Sequence, residues 1–164
     1  MINNWAQEVC ITRARRSDNA DSTATTADHC LGGREERAEA ATLRTTEGAA
    51  EVAPTVAGCV FAGPGRQKYV LVQAGTRYFV RGDPRASYHM DAARPLVEEL
   101  RAMEVAHEVL GGGRIQFEPE KKTIHIYGHS MGFPWQGEYR HDLSAKVCQE
   151  AYPDFAVTTS NEGY

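Results

Sequence analysis

Between Trp5 and Phe61 the chain contains no Phe, Tyr or Trp. Ala, Thr, Glu and Arg dominate there, so little apolar surface is available to offset the entropy of ordering the backbone. This break divides the 164 residues into an expected disordered, low-complexity extension over 1–60 and one folded domain over 61–164. Arg34 to Leu43 carries alanines and Glu–Arg neighbours that favour a transient helix, but a short isolated helix is marginal in water. Deleting residues 1 to about 58 is therefore expected to leave the fold intact.

After the break the pattern changes. Gly63-Pro64-Gly65 punctuates the chain, and Lys68 to Gln73 reads as a strand. Alternation places Lys68, Val70 and Val72 on one face and Tyr69 and Leu71 on the other. The short Ala74-Gly75 link predicts a hairpin to Arg77–Arg81. Gly82-Asp83-Pro84 ends that strand, and the Arg81-Gly82-Asp83 adhesion tripeptide is read as coincidence. Leu96, Val97, Leu100 and Met103 predict a helix over Asp91–Met103. Asp91 is its expected N-cap and Pro95 is expected within the first turn. Val105–Leu110 reads as a strand entering Gly111-Gly112-Gly113. Arg114–Glu118 and Thr123–Tyr127 then alternate as a hairpin. Gly132–Arg140 is an aromatic loop. His141–Tyr152 is a second amphipathic helix, with Leu143, Val147 and Ala151 on one face, and Phe155–Thr159 is a final strand. About six strands and two helices make an α/β (α+β) domain with a mixed sheet.

Composition removes several functions. With 18 Lys+Arg against 22 Asp+Glu, the chain lacks the basic excess of a nucleic-acid binder. No apolar run approaches a membrane span. Met1 to Cys10 is short of apolar residues and contains Glu8, unlike a secretory signal. Asp18, Asp21 and Asp28 are wrong for a transit peptide. The expectation is a cytoplasmic monomer with free thiols at Cys10, Cys30, Cys59 and Cys148, none of which forms a C-x-x-C pair.

The chemistry concentrates in three stretches. His89 lies just before a helix, where unpaired backbone N–H groups favour an anion. Gly111-Gly112-Gly113-Arg114 is a bend or bulge in its simplest reading. It also brings a strand close to a ligand and presents a guanidinium fork suited to phosphate. Gly128-His129-Ser130-Met131-Gly132 is an ordinary turn or an anion nest with a hydroxyl. His29 and His107 are read as structural, and His141 as stabilising a helix corner. His125 and His129 are four apart on an expected strand rather than a helix, and no carboxylate is near, so a metal site is not expected.

Lys68-Tyr-Val-Leu71, Val80-Arg-Gly82, Tyr88-His89, Leu110-Gly-Gly-Gly-Arg-Ile115, Lys122-Thr-Ile-His-Ile-Tyr-Gly128, Ser130-Met131 and Tyr152-Pro-Asp154 occur in that order. Together they resemble the phosphohistidine phosphatase (Janus/Ocnus) family from about residue 67 to the C-terminus. The resemblance implies a small α/β domain that removes phosphate from phosphohistidine, and from phospholysine, in proteins or peptides without a metal or other cofactor. It implies a catalytic role for His89 and phosphate contacts from Lys68, Arg114, Ser130, Met131 and Gly132. The sequence departs from the family in a longer loop after Gly132 and in His129, where tyrosine is common.

A protonated imidazole leaves phosphorus readily, so positioning and charge neutralisation carry most of the task. His89 is then a general base on water or a nucleophile. A phosphopeptide-binding module with the same anion site is the alternative from another class. A metal hydrolase using His89, His125 and His129 is a third.

Overall fold

The computed structural model describes residues 37–163. Seven strands form one mixed sheet: β1 (Thr45–Thr46), β2 (Cys59–Phe61), β3 (Gly65–Ala74), β4 (Arg77–Asp83), β5 (His107–Glu118), β6 (Thr123–Tyr127) and β7 (Ala156–Thr159). Their order is β2-β4-β3-β5-β6-β7, with β1 beside the start of β5. The expected β3–β4 and β5–β6 hairpins are antiparallel pairs. The outer pairs β2–β4 and β6–β7 are parallel. Three helices cover the sheet: α1 over 37–44, α2 (His89–Ala102) and α3 (His141–Ala151).

The alternation of β3 sorts the core into two layers. Val70, Val72 and Ala74 pack with Leu96, Val97 and Leu100 of α2. Tyr69 and Leu71, on the opposite face, pack with Val147 and Cys148 of α3. An aromatic group of Phe61, Phe117, Tyr152 and Phe155 seals the α3 side. Among the described residues no helix is long and apolar enough to cross a membrane.

The structure corrects three local expectations. The helix with Leu96 and Leu100 starts at His89, with Tyr88 as N-cap. Asp91 is its third residue, and its carboxylate accepts the Tyr88 N–H at 2.7 Å. That is the return half of a capping box. Pro95 is therefore well inside the helix. It lies on the exposed face, where the carbonyl freed by its missing N–H can face water. The strands flanking the glycine triplet are one continuous β5. Its register against β3 shifts between Leu71 and Val72, so Leu110 is the extra residue of a bulge.

The largest correction concerns the N-terminal stretch. Residues 1–36, with Cys10, His29, Cys30 and most of the charged start of the expected transient helix, lie outside the described residues. Residues 37–60 are folded against the sheet. Ala40, Leu43 and Val56 are buried in the α2-side core. Arg77 donates to the carbonyls of Ala53 and Val56 at 2.9 and 2.7 Å. Arg81 donates to the carbonyl of Ala57 at 2.8 Å. The adhesion-like tripeptide thus has a buried arginine used to staple the preceding segment. Cys59 is buried on β2, its Sγ 3.7 Å from that of Cys148, and both are free thiols. Few apolar residues suffice here because an existing core receives them, and the sheet's arginines satisfy the backbone.

Leu43 therefore reports whether α1 is part of the fold. Leu43→Ala should cost about 2–4 kcal/mol in denaturant unfolding, as for other buried leucines. A midpoint equal to wild type would mean that α1 does not pack on the domain.

Candidate active site

The site is built where α2 begins, against the middle of β5. His89 is 3 % exposed, and its Nε2 is 3.0 Å from the Gly113 carbonyl oxygen. A carbonyl only accepts, so Nε2 carries the proton and Nδ1 keeps its lone pair. Gly112 makes this approach possible. A Cβ at that position would sit 2.5 Å from the Tyr69 carbonyl, 3.2 Å from His89 Cδ2 and 3.3 Å from Ser130 Cβ. The imidazole thus lies with its Cδ2–Nε2 edge against β5, and Nδ1 is on the edge turned away. Burial pushes the His89 pKa down to about 4, against the opposing pull of the Gly113 hydrogen bond. The charges of Lys68, Arg114 and His129 are smaller contributors to the same lowering. The ring is therefore neutral throughout the physiological range.

Lys68 and Arg114 are direct partners across β3 and β5. Opposed residues of an antiparallel pair share a face, so both cations lie on the same side of the sheet. Lys68 shares the α2 face with Val70 and Val72, and its Nζ donates to the Ala86 carbonyl at 3.0 Å. That bond fixes the ammonium beside the turn leading into His89. Both cations act on His89 electrostatically, so the expected trio of Lys68, His89 and Arg114 is assembled in space.

The Gly128–Gly132 turn completes one wall. Ser130 is fully buried, and its Oγ accepts the Phe133 N–H at 3.0 Å. The hydroxyl closes a tight turn first and keeps its own O–H to donate. Gly132 is buried, whereas Met131 is 46 % exposed. Phe133 is fully buried in the α2-side core, which anchors the turn. Trp135 lies so close over Gly111 that a Cβ there would be 2.3 Å from its indole. The long loop is thus seated on the glycine triplet: Gly111 admits Trp135 and Gly112 admits His89.

Two features were not apparent in the sequence. One is a buried chain of hydrogen bonds under the site. Ser144 Oγ is 3.3 Å from Tyr69 Oη, which is 2.6 Å from His141 Nδ1. Burial lowers the His141 pKa, so the neutral ring accepts the Tyr69 hydroxyl proton. This locks the start of α3, which follows the Trp135 loop. The other is the placement of His129 near enough to depress the His89 pKa. His125, by contrast, is exposed on β6 with Nδ1 2.8 Å from Thr158 Oγ1. His107 is structural, with Nε2 3.4 Å from the Leu43 carbonyl at the end of α1. Among the described residues no group of three or more His, Cys, Asp or Glu is arranged to hold a metal ion.

A mixed sheet covered by helices on both faces, with a neutral imidazole near two opposed cations, defines a small α/β domain. More narrowly, the chain belongs to the Janus/Ocnus family, whose model matches residues 55–156. It is 36 % identical over 108 residues to the 14 kDa phosphohistidine phosphatase of Sus scrofa, covering 59 % of this chain and 83 % of that one. It is 34 % identical over 108 residues to the human protein of the same name, covering 59 % of this chain and 84 % of that one. It is also 34 % identical over 102 residues to the sex-regulated protein janus-A of Drosophila yakuba, covering 59 % of this chain and 73 % of that one. Helix α1 lies before the residues matched by the family model.

The neutral burial of His89 has a consequence for stability. In the unfolded chain the ring takes up a proton near pH 6.5, and in the folded chain only near pH 4. Folding stability is therefore full above pH 6.5 and falls as pH drops from there to about 4, by roughly 3 kcal/mol in all. His89→Gln should remove this share of the acid sensitivity. His107 and His141, also lowered by burial, remain in the variant, so the difference isolates His89. Parallel stability–pH curves for the two proteins would contradict the buried neutral ring.

Proposed function

We propose that this protein hydrolyses the P–N bond of phosphohistidine in proteins or peptides, with His89 as the general base and without a metal. The observation that carries the reading is the His89 Nε2–H bond to the Gly113 carbonyl. It favours the tautomer in which Nδ1 keeps its lone pair, on a ring influenced by Lys68 and Arg114. The names of the porcine and human relatives point the same way.

In this reading Lys68 and Arg114 neutralise the phosphoryl oxygens, and Arg114 offers its planar fork. The N–H groups of the Ser130–Gly132 turn add donors. Nδ1 of His89 takes a proton from water as the water oxygen bonds to phosphorus. The P–N bond breaks with its electron pair going to that substrate nitrogen, and the substrate ring, already protonated on its other nitrogen, departs as neutral imidazole. A dianionic phosphoryl group beside His89 favours the imidazolium, so substrate binding raises the basicity that burial suppresses. Loss of the base is worth about 10²–10⁴-fold in rate.

His89→Ala should lose at least about a hundredfold in hydrolysis of a phosphohistidine peptide while still binding inorganic phosphate. Arg114→Ala should weaken phosphate binding more than Arg114→Lys, since lysine keeps the charge without the fork. Excess chelator should leave the wild-type rate unchanged. Wild-type protein that binds the peptide without releasing phosphate would instead mark a phosphopeptide-binding module. Acid-stable capture of phosphate on His89 is not anticipated, because phosphoimidazoles are acid-labile. Rapid alkaline quench is therefore the check for a covalent intermediate, and finding one would make His89 a nucleophile.

A further inference from the structure

Helix α1 adds a charged wall to the site. Arg37, Ala41 and Arg44 follow an i, i+4, i+7 spacing and so form one stripe. The stripe faces the turn of His129, Ser130 and Met131 across an open groove of about 680 Å³. Ala40 and Leu43, on another face of the helix, are buried in the core. The helix is fastened at several points. Arg94 pairs with Glu39, Arg101 donates to the Thr42 carbonyl, and His107 lies at the Leu43 carbonyl. Arg44 donates to the Pro134 carbonyl at 3.0 Å and stands over the Phe133 ring. The groove is thus a fixed surface that begins at the proposed phosphate-binding turn and carries no carboxylate in its lining. Glu39, the acid on the described part of α1, is engaged by Arg94. Arg44 is committed to the loop. Arg37 is exposed at the groove and makes no ion pair with any described residue.

We propose that this groove receives the substrate segment beside the phosphohistidine and that Arg37 selects an acidic side chain within a few residues of it. The inference rests on the activity proposed above and extends it to the class of substrate. Charge complementarity identifies the occupant: a cationic groove continuous with the anion site fits an extended acidic peptide. An extended chain advances about 3.3 Å per residue, so a side chain a few positions away from a phosphohistidine held at His89 reaches beyond the Ser130 turn. Helix α1 lies outside the residues matched by the family model, so the selection does not rest on the matched domain. Arg44 acts as a positioning residue, since its contacts are to Pro134 and Phe133.

The test compares full-length wild type with Arg37→Ala and Arg37→Glu. The substrates are phosphohistidine peptides in which one Glu is moved through the four positions on either side of a neutral sequence, with each rate taken relative to the same protein's rate on phosphoramidate. Wild type should prefer the best acidic peptide over the neutral one by about threefold to fivefold, the scale of one exposed ion pair, and the gain should appear in KM. The preference should vanish in Arg37→Ala and reverse in Arg37→Glu. It should also shrink as salt is raised. A wild type indifferent to charge, or an Arg37→Glu variant with unchanged preference, would overturn the proposal. If wild type turns over neither peptides nor phosphoramidate, the activity reading fails, and titration of the same acidic peptides decides the groove. Tighter binding lost in Arg37→Glu would support it, and equal affinities would overturn it.

Discussion

The hydrogen bond from His89 Nε2 to the Gly113 carbonyl is the contact on which the rest of the site depends. It needs a helix start brought against the centre of a sheet, closer than side chains between them would normally allow. Gly112 removes the side chain that would collide with both His89 and Ser130. Once the ring is seated it is dry, uncharged and in one tautomer, and its remaining nitrogen faces away from β5. Burial, with the charges of Lys68, Arg114 and His129, makes this imidazole costly to protonate, so it stays neutral near pH 7.

The cations depend on the sheet register in the same way. Lys68 and Arg114 are forty-six positions apart in the chain yet opposite one another on β3 and β5. A slip by one residue would send one of them to the α3 face. The β-bulge at Leu110 lies just before this pair and restores the register in which Tyr69 faces Gly113 and Lys68 faces Arg114. Support for the turn comes from below, through Tyr69, His141 and Ser144, and from the side, through Phe133 and Trp135. The long aromatic loop is therefore part of the scaffold of the site. It also links that scaffold to α1, through Arg44 and the Pro134 carbonyl.

The sequence by itself determined the two β-hairpins, the two amphipathic helices that cover opposite faces of the sheet, and the candidacy of His89, Lys68 and Arg114. The elements rest on alternation with period two and apolar repeats near 3.6, His89 and Arg114 on their chemistry and setting, and Lys68 on the family resemblance alone. The resemblance that runs from Lys68 to Asp154 carried the family correctly. Tertiary structure alone decided the rest. The helical tendency of α1 was legible over Arg34–Leu43, but its packing was not, because its few apolar residues gain burial only from a core supplied by the sheet and α2, a term that composition does not contain. Pro95 misled because its cost depends on whether the freed carbonyl meets water. Ser130 was legible as a hydroxyl, but only the fold shows it spent first on closing a turn. The glycine triplet was ambiguous between a bend and a ligand approach. Three-dimensional packing gave each glycine its own neighbour, since only contact between distant segments tells a residue that is missing a side chain what stands in its place.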